Sequence, residues 1–369
     1  MPDAAAYLRL ALVPGLGSIT AHRLLDIVDT PAEVFNLPMR NLQAVDGIGG
    51  ERARRIVDPR GNETVEAEQA RCHQLGLRIV TLADPDYPKA LRALSDPPLA
   101  LWIKGSYEEQ DRVGIAVVGP RTPSSYGHRQ ARLFSQGLAR GGATVISGLA
   151  RGIDTVAHEA ALAVNGRTIA VIGSGFDHLY PKENADLAER IADGHGCVLS
   201  EFPCATRPNQ GTFPRRNRVV AALALATLVI EAGQRSGALI TARLSGELGK
   251  EALVLPGPID RPEHVGSNKL LRDGATLITS LDDVYQELPP LATMAAASTA
   301  GPADENNSHT TSLSQRERDI YKLLSDDPRS VDDLQRVCQL PSSQVTATMI
   351  SLELRRLARK TPGGYVRAL

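Results

Sequence analysis

The run Phe213-Pro214-Arg215-Arg216-Asn217-Arg218 carries the most direct chemical signal in the chain. An aromatic ring beside several guanidinium groups suits unpaired bases. A base stacks on Phe213 while the arginines follow the phosphate backbone, and such stacking is worth about 1–3 kcal/mol per base. Asn217 offers an amide for a base edge or for bracing a loop. From Cys204 to Arg218 there are four arginines and no acid, although the formal net charge of the 369-residue chain is −1. A focused patch attracts phosphate even on a near-neutral molecule. The plainer alternative is a core Phe213 with solvated arginines.

Two other segments belong to the same chemistry. In Gly119-Pro120-Arg121-Thr122-Pro123-Ser124-Ser125, Gly119 permits close approach of backbone to a ligand. Arg121 presents a rigid fork of donors to a phosphate or base edge. Ser124 or Ser125 caps the helix that follows, whose N-terminus favours an anion. In Ser147-Gly148-Leu149-Ala150-Arg151-Gly152, the Ser147 hydroxyl and the N–H groups around Gly148 fit a phosphate-holding loop. His158 has no nucleophile or metal partner at a recognisable spacing and reads as structural. Glu231, at the end of an apolar run, is either an acid–base group or an acceptor for the N–H groups of a neighbouring loop. The second reading is preferred.

Other chemistries lack their motifs. There is no GxxxxGK(S/T) loop for nucleotide hydrolysis, no GxSxG elbow and no HExxH. Gly173-Ser174-Gly175 begins like a dinucleotide fingerprint, but His178 stands where the third glycine belongs. The four cysteines, Cys72, Cys197, Cys204 and Cys338, have no CxxC spacing. Buried free thiols are therefore expected, with no zinc site and no cofactor.

Positioning these residues requires strands that end in glycine. Residues 114–119, 143–148, 168–175, 197–201, 226–233, 252–257 and 275–280 are almost continuously apolar, as in a parallel sheet buried on both faces. In open α/β sheets ligands bind at the carboxyl ends of the strands, where the segments above fall. Residues 1–60 read as a small helical unit with two glycine turns, Pro14-Gly15-Leu16-Gly17 and Asp46-Gly47-Ile48-Gly49-Gly50. They resemble helix-hairpin-helix elements or a SAM-like cap. Residues 61–110 read as a connector with a short strand at 99–104, and 111–288 as the α/β core. Residues 289–312, rich in Pro, Ala, Ser and Thr, read as a flexible linker. Residues 313–369 read as three helices and a short strand, a winged-helix-like unit. Its third helix is expected to carry Glu353, Arg355, Arg356, Arg359 and Lys360. The N-terminus lacks a secretory pattern and no apolar run is long enough to span a bilayer, so a cytosolic protein with no membrane insertion is expected.

Taken in order, GPRTPSSYG, SGLARGID, HEAAL, GRTIAVIGSGFDHLYPKEN, SEFP, FPRRNR, EAGQRSGALITA and the VLPG to GSNKLLRDGA run resemble the successive signatures of the DNA-processing protein A (DprA/Smf) family, over about residues 111–280. The resemblance implies an extended Rossmann-like, mostly parallel sheet in a homodimer that binds single-stranded DNA. It also implies loading of RecA recombinase on incoming strands in natural transformation, with displacement of single-strand-binding protein, and no catalysis. By position, Arg121, Phe213 and the Arg215–Arg218 cluster match the family's DNA-contacting residues. Gln210 stands where some members carry a lysine, which puts one phosphate contact in doubt. Lys250 stands where an arginine is frequent, and Pro120 replaces a small residue and stiffens its loop. Two other functions compete with this one. One is a phosphoribohydrolase-like nucleotide-processing enzyme using Glu231 and Arg121. The other is a duplex-binding regulator acting through the C-terminal unit.

Overall fold

Gly114–Val118, Thr168–Ile172 and Gly196–Ser200 are buried at every position, the mark of strands covered on both faces. They belong to a nine-stranded sheet in the computed structural model, which describes residues 2–298, 314–324, 329–355, 357–361 and 363–367. The chain divides into two units, Met1–Gly301 and Pro302–Leu369. The strands of the first unit are β1 (Arg78–Thr81), β2 (Ala100–Gly105), β3 (Gly114–Val118), β4 (Thr144–Ser147), β5 (Thr168–Ile172), β6 (Gly196–Ser200), β7 (Ala226–Val229), β8 (Glu251–Val254) and β9 (Thr276–Leu277). Its helices are α1 (Pro2–Leu12), α2 (Ser18–Leu25), α3 (Met39–Ala44), α4 (Gly50–Val57), α5 (Gly61–Leu75), α6 (Ser125–Arg140), α7 (Ile153–Leu162), α8 (Ala185–Ala192), α9 (Thr212–Leu223), α10 (Gly237–Glu247), α11 (Val265–Arg272), α12 (Leu281–Glu287) and α13 (Pro289–Ser298).

The sheet order is β1-β2-β6-β5-β4-β3-β7-β8-β9. Strands β6 through β9 in that order are mutually parallel, and β2 and β1 add an antiparallel edge. The chain builds outward from β3 through β4, β5 and β6, then returns to the other side of β3 with β7, β8 and β9. This is the doubly wound Rossmann-like topology, and its switch point lies between β3 and β7. Pleating splits β3 between two cores. Ile115 and Val117 pack with Phe134 and Leu138 of α6 and Val156 of α7. Ala116 packs with Val219, Val220 and Leu223 of α9. Each large, fully buried side chain of this kind stabilises the fold by about 1.5–3 kcal/mol.

Stretches 61–110 and 289–298 hold more regular structure than their composition indicates. The first contains α5, β1 and β2, and the second is helical with Leu291 fully buried in the main core. The rest of the expected linker, 299–312, lies outside the described residues. The two N-terminal glycine turns share one geometry. Gly15 and Gly47 have φ +80° and +89°, a region that favours glycine. Gly17 and Gly49 follow in extended conformation as the N-caps of α2 and α4. All four cysteines are free: Cys72, Cys197 and Cys204 are buried and Cys338 is half-buried. No described helix is long and apolar enough to cross a membrane.

The second unit is a winged helix. It contains α14 (Gln315–Leu323), α15 (Val331–Cys338), α16 (Ser342–Leu354) and a hairpin of β10 (Ala358–Thr361) and β11 (Gly364–Arg367). The third helix ends at Leu354, so of the residues expected on its mixed face only Glu353 lies on it. Arg355 is its C-cap, and Arg359 and Lys360 belong to β10. Arg356 lies outside the described residues.

Helix α9 is anchored at its C-terminal end by Lys250. Its Nζ donates to the carbonyls of Ala221, Ala222 and Ala224 at 3.2, 2.6 and 2.6 Å. A cation there satisfies carbonyls that have no partner within the helix and complements its negative end. Lys250→Met should lower stability by about 1–3 kcal/mol, because it strands these acceptors. The expected result is a lower urea midpoint with an unchanged slope. An unchanged midpoint would show that solvent replaces the ammonium without cost.

Candidate nucleic-acid interface

Helix α9 starts at Thr212, which places Phe213, Arg216, Asn217 and Val220 on one face. That face closes one side of a cleft of about 600 Å³ at the switch point. The β3–α6 loop lines it with Gly119, Pro120, Arg121 and Thr122, and the β7–α10 loop and the start of α10 with Gly233 to Ala238. Three guanidinium groups, those of Arg121, Arg216 and Arg235, line it against one carboxylate, that of Asp154.

Arg216 is the unusual member of this set. Only 7% of it is exposed, and its Nε has no hydrogen-bond partner. Its nearest carboxylate oxygen, Asp154 Oδ2, is 3.8 Å from Nη1 and already accepts the N–H groups of Gly148 and Ala150 at 3.1 and 3.2 Å. Burial holds the guanidinium pKa below its ordinary value. Asp154 opposes that shift, and the neighbouring Arg121 cation adds to it. Burial likewise pushes the Asp154 carboxyl up, against the pull of Arg216. A desolvated cation with an unused donor and one distant counter-charge is stabilised by any anion that reaches it.

Beside Arg216, the Arg121 guanidinium lies 5.3 Å from the centroid of the half-buried Phe213 ring, a cation–π distance. Tyr180 is also near this ring, with its ring centroid 6.0 Å from that of Phe213 and an interplanar angle of 58°. Arg121, Tyr180, Phe213 and Arg216 also line a smaller adjoining pocket with Gly148 and Arg151. Arg121 is exposed, and no carboxylate lies within ion-pair distance of it among the described residues. The Asn217 side chain makes no hydrogen bond among the described residues. Its amide is available to the cleft.

Several residues expected to touch a ligand do other things. The Ser147 hydroxyl is fully buried and donates to Val117 O at 2.7 Å, so it pins β4 to β3 and cannot hold a phosphate. The Gly148 N–H is taken by Asp154, and a Cβ there would lie 1.1 Å from Arg216 Nη1. Gly148 is a glycine to make room for that guanidinium. At Gly119 a Cβ would meet Ile153 Cγ1 at 2.4 Å, so this glycine serves the packing of α7 while its backbone lines the cleft. Arg218 is buried and points away from the cleft. It donates to Glu201 and to Asp96 O at 2.8 Å, and lies 3.4 Å from Ser18 Oγ, binding the N-terminal helices to the core. Arg215 lies over the Phe202 ring at 4.8 Å with its Nε 3.2 Å from Glu201 Oε1. Gln210 is exposed on the turn before α9, outside the cleft lining. The arginine run thus has balancing acids after all, Glu201, Asp96 and Asp154, supplied from distant sequence.

Glu231 accepts from both the N–H and the hydroxyl of Ser124, the N-cap of α6. It is fully buried and braces the loop that carries Arg121, the role preferred for it from sequence. His158 is fully buried, with Nδ1 2.7 Å from Thr168 Oγ1. Burial, helped by the nearby Arg216 cation, pushes its pKa down to about 3 and keeps it neutral. Tyr180 and Arg235 were not singled out from sequence. Both sit in segments read as motif-rich, but only the folded sheet brings strand-end loops from β5 and β7 beside α9.

The chain is similar to known proteins along most of its length. Residues 78–289 match the family model described as DNA recombination-mediator protein A, and residues 302–364 match the DprA winged helix domain. Protein Smf of Escherichia coli is 34% identical, over 100% of this chain and 96% of its own. The crystal structure of DNA processing protein A from Streptococcus pneumoniae is 32% identical with a TM-score of 0.66, over 76% of this chain and 95% of that one. DNA processing protein A from Helicobacter pylori, whose structure concerns its single-stranded-DNA binding mode, is 32% identical with a TM-score of 0.52, over 58% of this chain and 96% of that one. A family match over more than half the chain, with a relative aligned along its whole length, shows that this chain belongs to the DNA recombination-mediator protein A (DprA/Smf) family.

Proposed function

We propose that this chain is a non-catalytic, cytoplasmic recombination mediator that binds single-stranded DNA in the cleft between β3 and β7. In this reading it works as a homodimer, displaces single-strand-binding protein and loads RecA recombinase on strands taken up in natural transformation. The observation that carries the proposal is the buried, half-paired Arg216 facing the same cleft as the Arg121–Phe213 pair. A phosphate takes the place of the missing counter-charge, and Phe213 and Tyr180 give faces on which bases stack. The single-stranded-DNA binding of the Helicobacter pylori relative supports the same ligand here. Apolar side chains exposed in the segment after β8, on α11 and on β9, those of Ile259, Val265 and Leu277 at 94%, 45% and 53%, are available for self-association.

The competing enzyme reading needs a carboxylate free to act. Glu231 is buried with both oxygens engaged by Ser124, and Asp154 is occupied by two N–H groups and Arg216. The duplex-regulator reading needs cations on the helix that would enter a groove. Helix α16 has no lysine or arginine between Ser342 and Leu354, and Ile350 and Leu354 are exposed on it.

Two measurements separate these readings. In titrations of a single-stranded oligonucleotide across salt concentrations, Arg121→Ala should weaken binding and reduce the slope of log K against log salt by about 0.7 for each phosphate left unneutralised. Phe213→Ala should cost about 1–3 kcal/mol and leave the slope unchanged, because stacking releases no counterions. Equal affinity of all three proteins would remove the cleft as the site. A chain ending after Ser298, which keeps the buried Leu291, should bind single strands within about 0.5 kcal/mol of the full chain. A large loss would instead give the winged helix the principal DNA contact.

A further inference from the structure

Cys72 and Cys204 are 132 positions apart in sequence, yet their sulfur atoms lie 3.7 Å apart in the fold. Cys72 is on α5, in the N-terminal helical part. Cys204 is in the segment between β6 and α9, nine positions before Phe213. Both are buried, at 3% and 1% exposure, among Leu8, Val65, Ala100 and Trp102. The main chain around Cys204 is fixed: its N–H donates to Glu68 Oε1 at 2.7 Å, and its carbonyl accepts the Asp177 N–H at 3.0 Å. The same contact is flanked by the Arg71–Asp177 ion pair, with Arg71 adjacent to Cys72 on α5. Two thiols are thus held in van der Waals contact by a hydrogen bond and an ion pair that tie α5 to the segment around Cys204.

We propose that Cys72 and Cys204 form an oxidisable dithiol, which a peroxide converts into a disulfide stapling α5 to the segment that leads into α9. The bond requires the two sulfurs to close from 3.7 Å to about 2.05 Å. Chemically, Cys72 gives up its proton, and its thiolate attacks a peroxide oxygen and becomes a sulfenic acid as the O–O bond breaks, with the departing hydroxide taking up that proton as one water. The Cys204 sulfur then attacks the Cys72 sulfur. The S–O bond breaks, and the departing hydroxide takes the Cys204 proton as a second water. Two thiols lose two electrons and two protons, and one hydrogen peroxide becomes two waters. Cys72 is the attacking group because its contact with Cys204 holds its pKa below the usual thiol value, while the same contact and burial raise that of Cys204.

A metal ion is the other use of such a pair, since Glu68, Cys72 and Cys204 place three donor atoms within 4.8 Å of one another. The described residues supply no fourth ligand there, and the Glu68 oxygen already accepts the Cys204 N–H. A closed structural zinc site takes four, so the geometry favours the disulfide.

The test uses the intact, folded protein treated with hydrogen peroxide, then unfolded in denaturant and alkylated under non-reducing conditions. The expected result is a mass loss of about 2 Da, a drop from four titratable thiols to two, and one linked peptide pair containing Cys72 and Cys204. Closing so long a loop should raise Tm by about 5 °C or more, reversed by dithiothreitol. Cys72→Ser and Cys204→Ser should each abolish the link, and Cys197→Ser should leave it. Four reactive thiols after treatment would overturn the proposal. So would a link to a different cysteine, or one equivalent of zinc in the purified protein that protects both thiols. The wild-type peptide map is decisive even if a serine variant fails to fold.

Discussion

A buried guanidinium without a full set of partners is the constraint around which the site is organised. Removing a cation from water is expensive, and one carboxylate at 3.8 Å shared with two N–H groups does not offset it. Arg216 is nevertheless held in place. Gly148 gives it room, Asp154 gives it partial neutralisation, and the rest of α9 is locked into the core by Val219, Val220 and Leu223. The consequences spread outward. His158 stays neutral beside it, the Ser147 hydroxyl turns inward, and Arg121 rests on Phe213 with no carboxylate of its own among the described residues. A site built this way holds unfavourable electrostatics that an anion reaching it would relieve.

The scaffold makes that arrangement sustainable. Because β3 sits at the switch point, the loops that follow β3 and β7 diverge to opposite faces of the sheet and leave a crevice between them. Helix α9 crosses that crevice with its first turn at the cleft and its last turn capped by Lys250. Arg218, Glu201 and Asp96 form a second buried network on the far side of the same helix. The near-zero net charge is therefore no obstacle to a polyanionic ligand. Acids from distant sequence neutralise the arginines that build the structure, and Arg121 and Arg235 are left facing the cleft without carboxylate partners among the described residues.

Much of this was legible in the chain and some was not. Continuous apolar runs ending in glycine announced the parallel sheet, and the order of loops along them placed the cleft. That Arg121 and Phe213 belong to one site followed from the strand-end logic together with the family resemblance, and the structure sets them 5.3 Å apart. The fate of individual polar side chains did not follow. Ser147 and Gly148 have the composition of a phosphate loop, but their donors are consumed by Val117 O and Asp154. Arg215, Arg216 and Arg218 are nearly consecutive, yet helical geometry turns them to different environments, and local composition is blind to Glu201 and Asp96 folding back on them. The end of α16 was misplaced because Arg355 to Lys360 continue a helix-compatible composition, while the wing hairpin is fixed by the pairing of Ala358–Thr361 with Gly364–Arg367.

Photo-crosslinking of a single-stranded oligonucleotide carrying 5-iododeoxyuridine, followed by peptide mapping, addresses the central claim most directly. The photoexcited base joins only to a side chain it already touches, so the account predicts crosslinks at Phe213 or Tyr180, with the first turn of α9 as the principal adduct-bearing peptide. Crosslinks confined to the winged helix or to the glycine turns at 14–17 and 46–50, with none around Phe213, would contradict it.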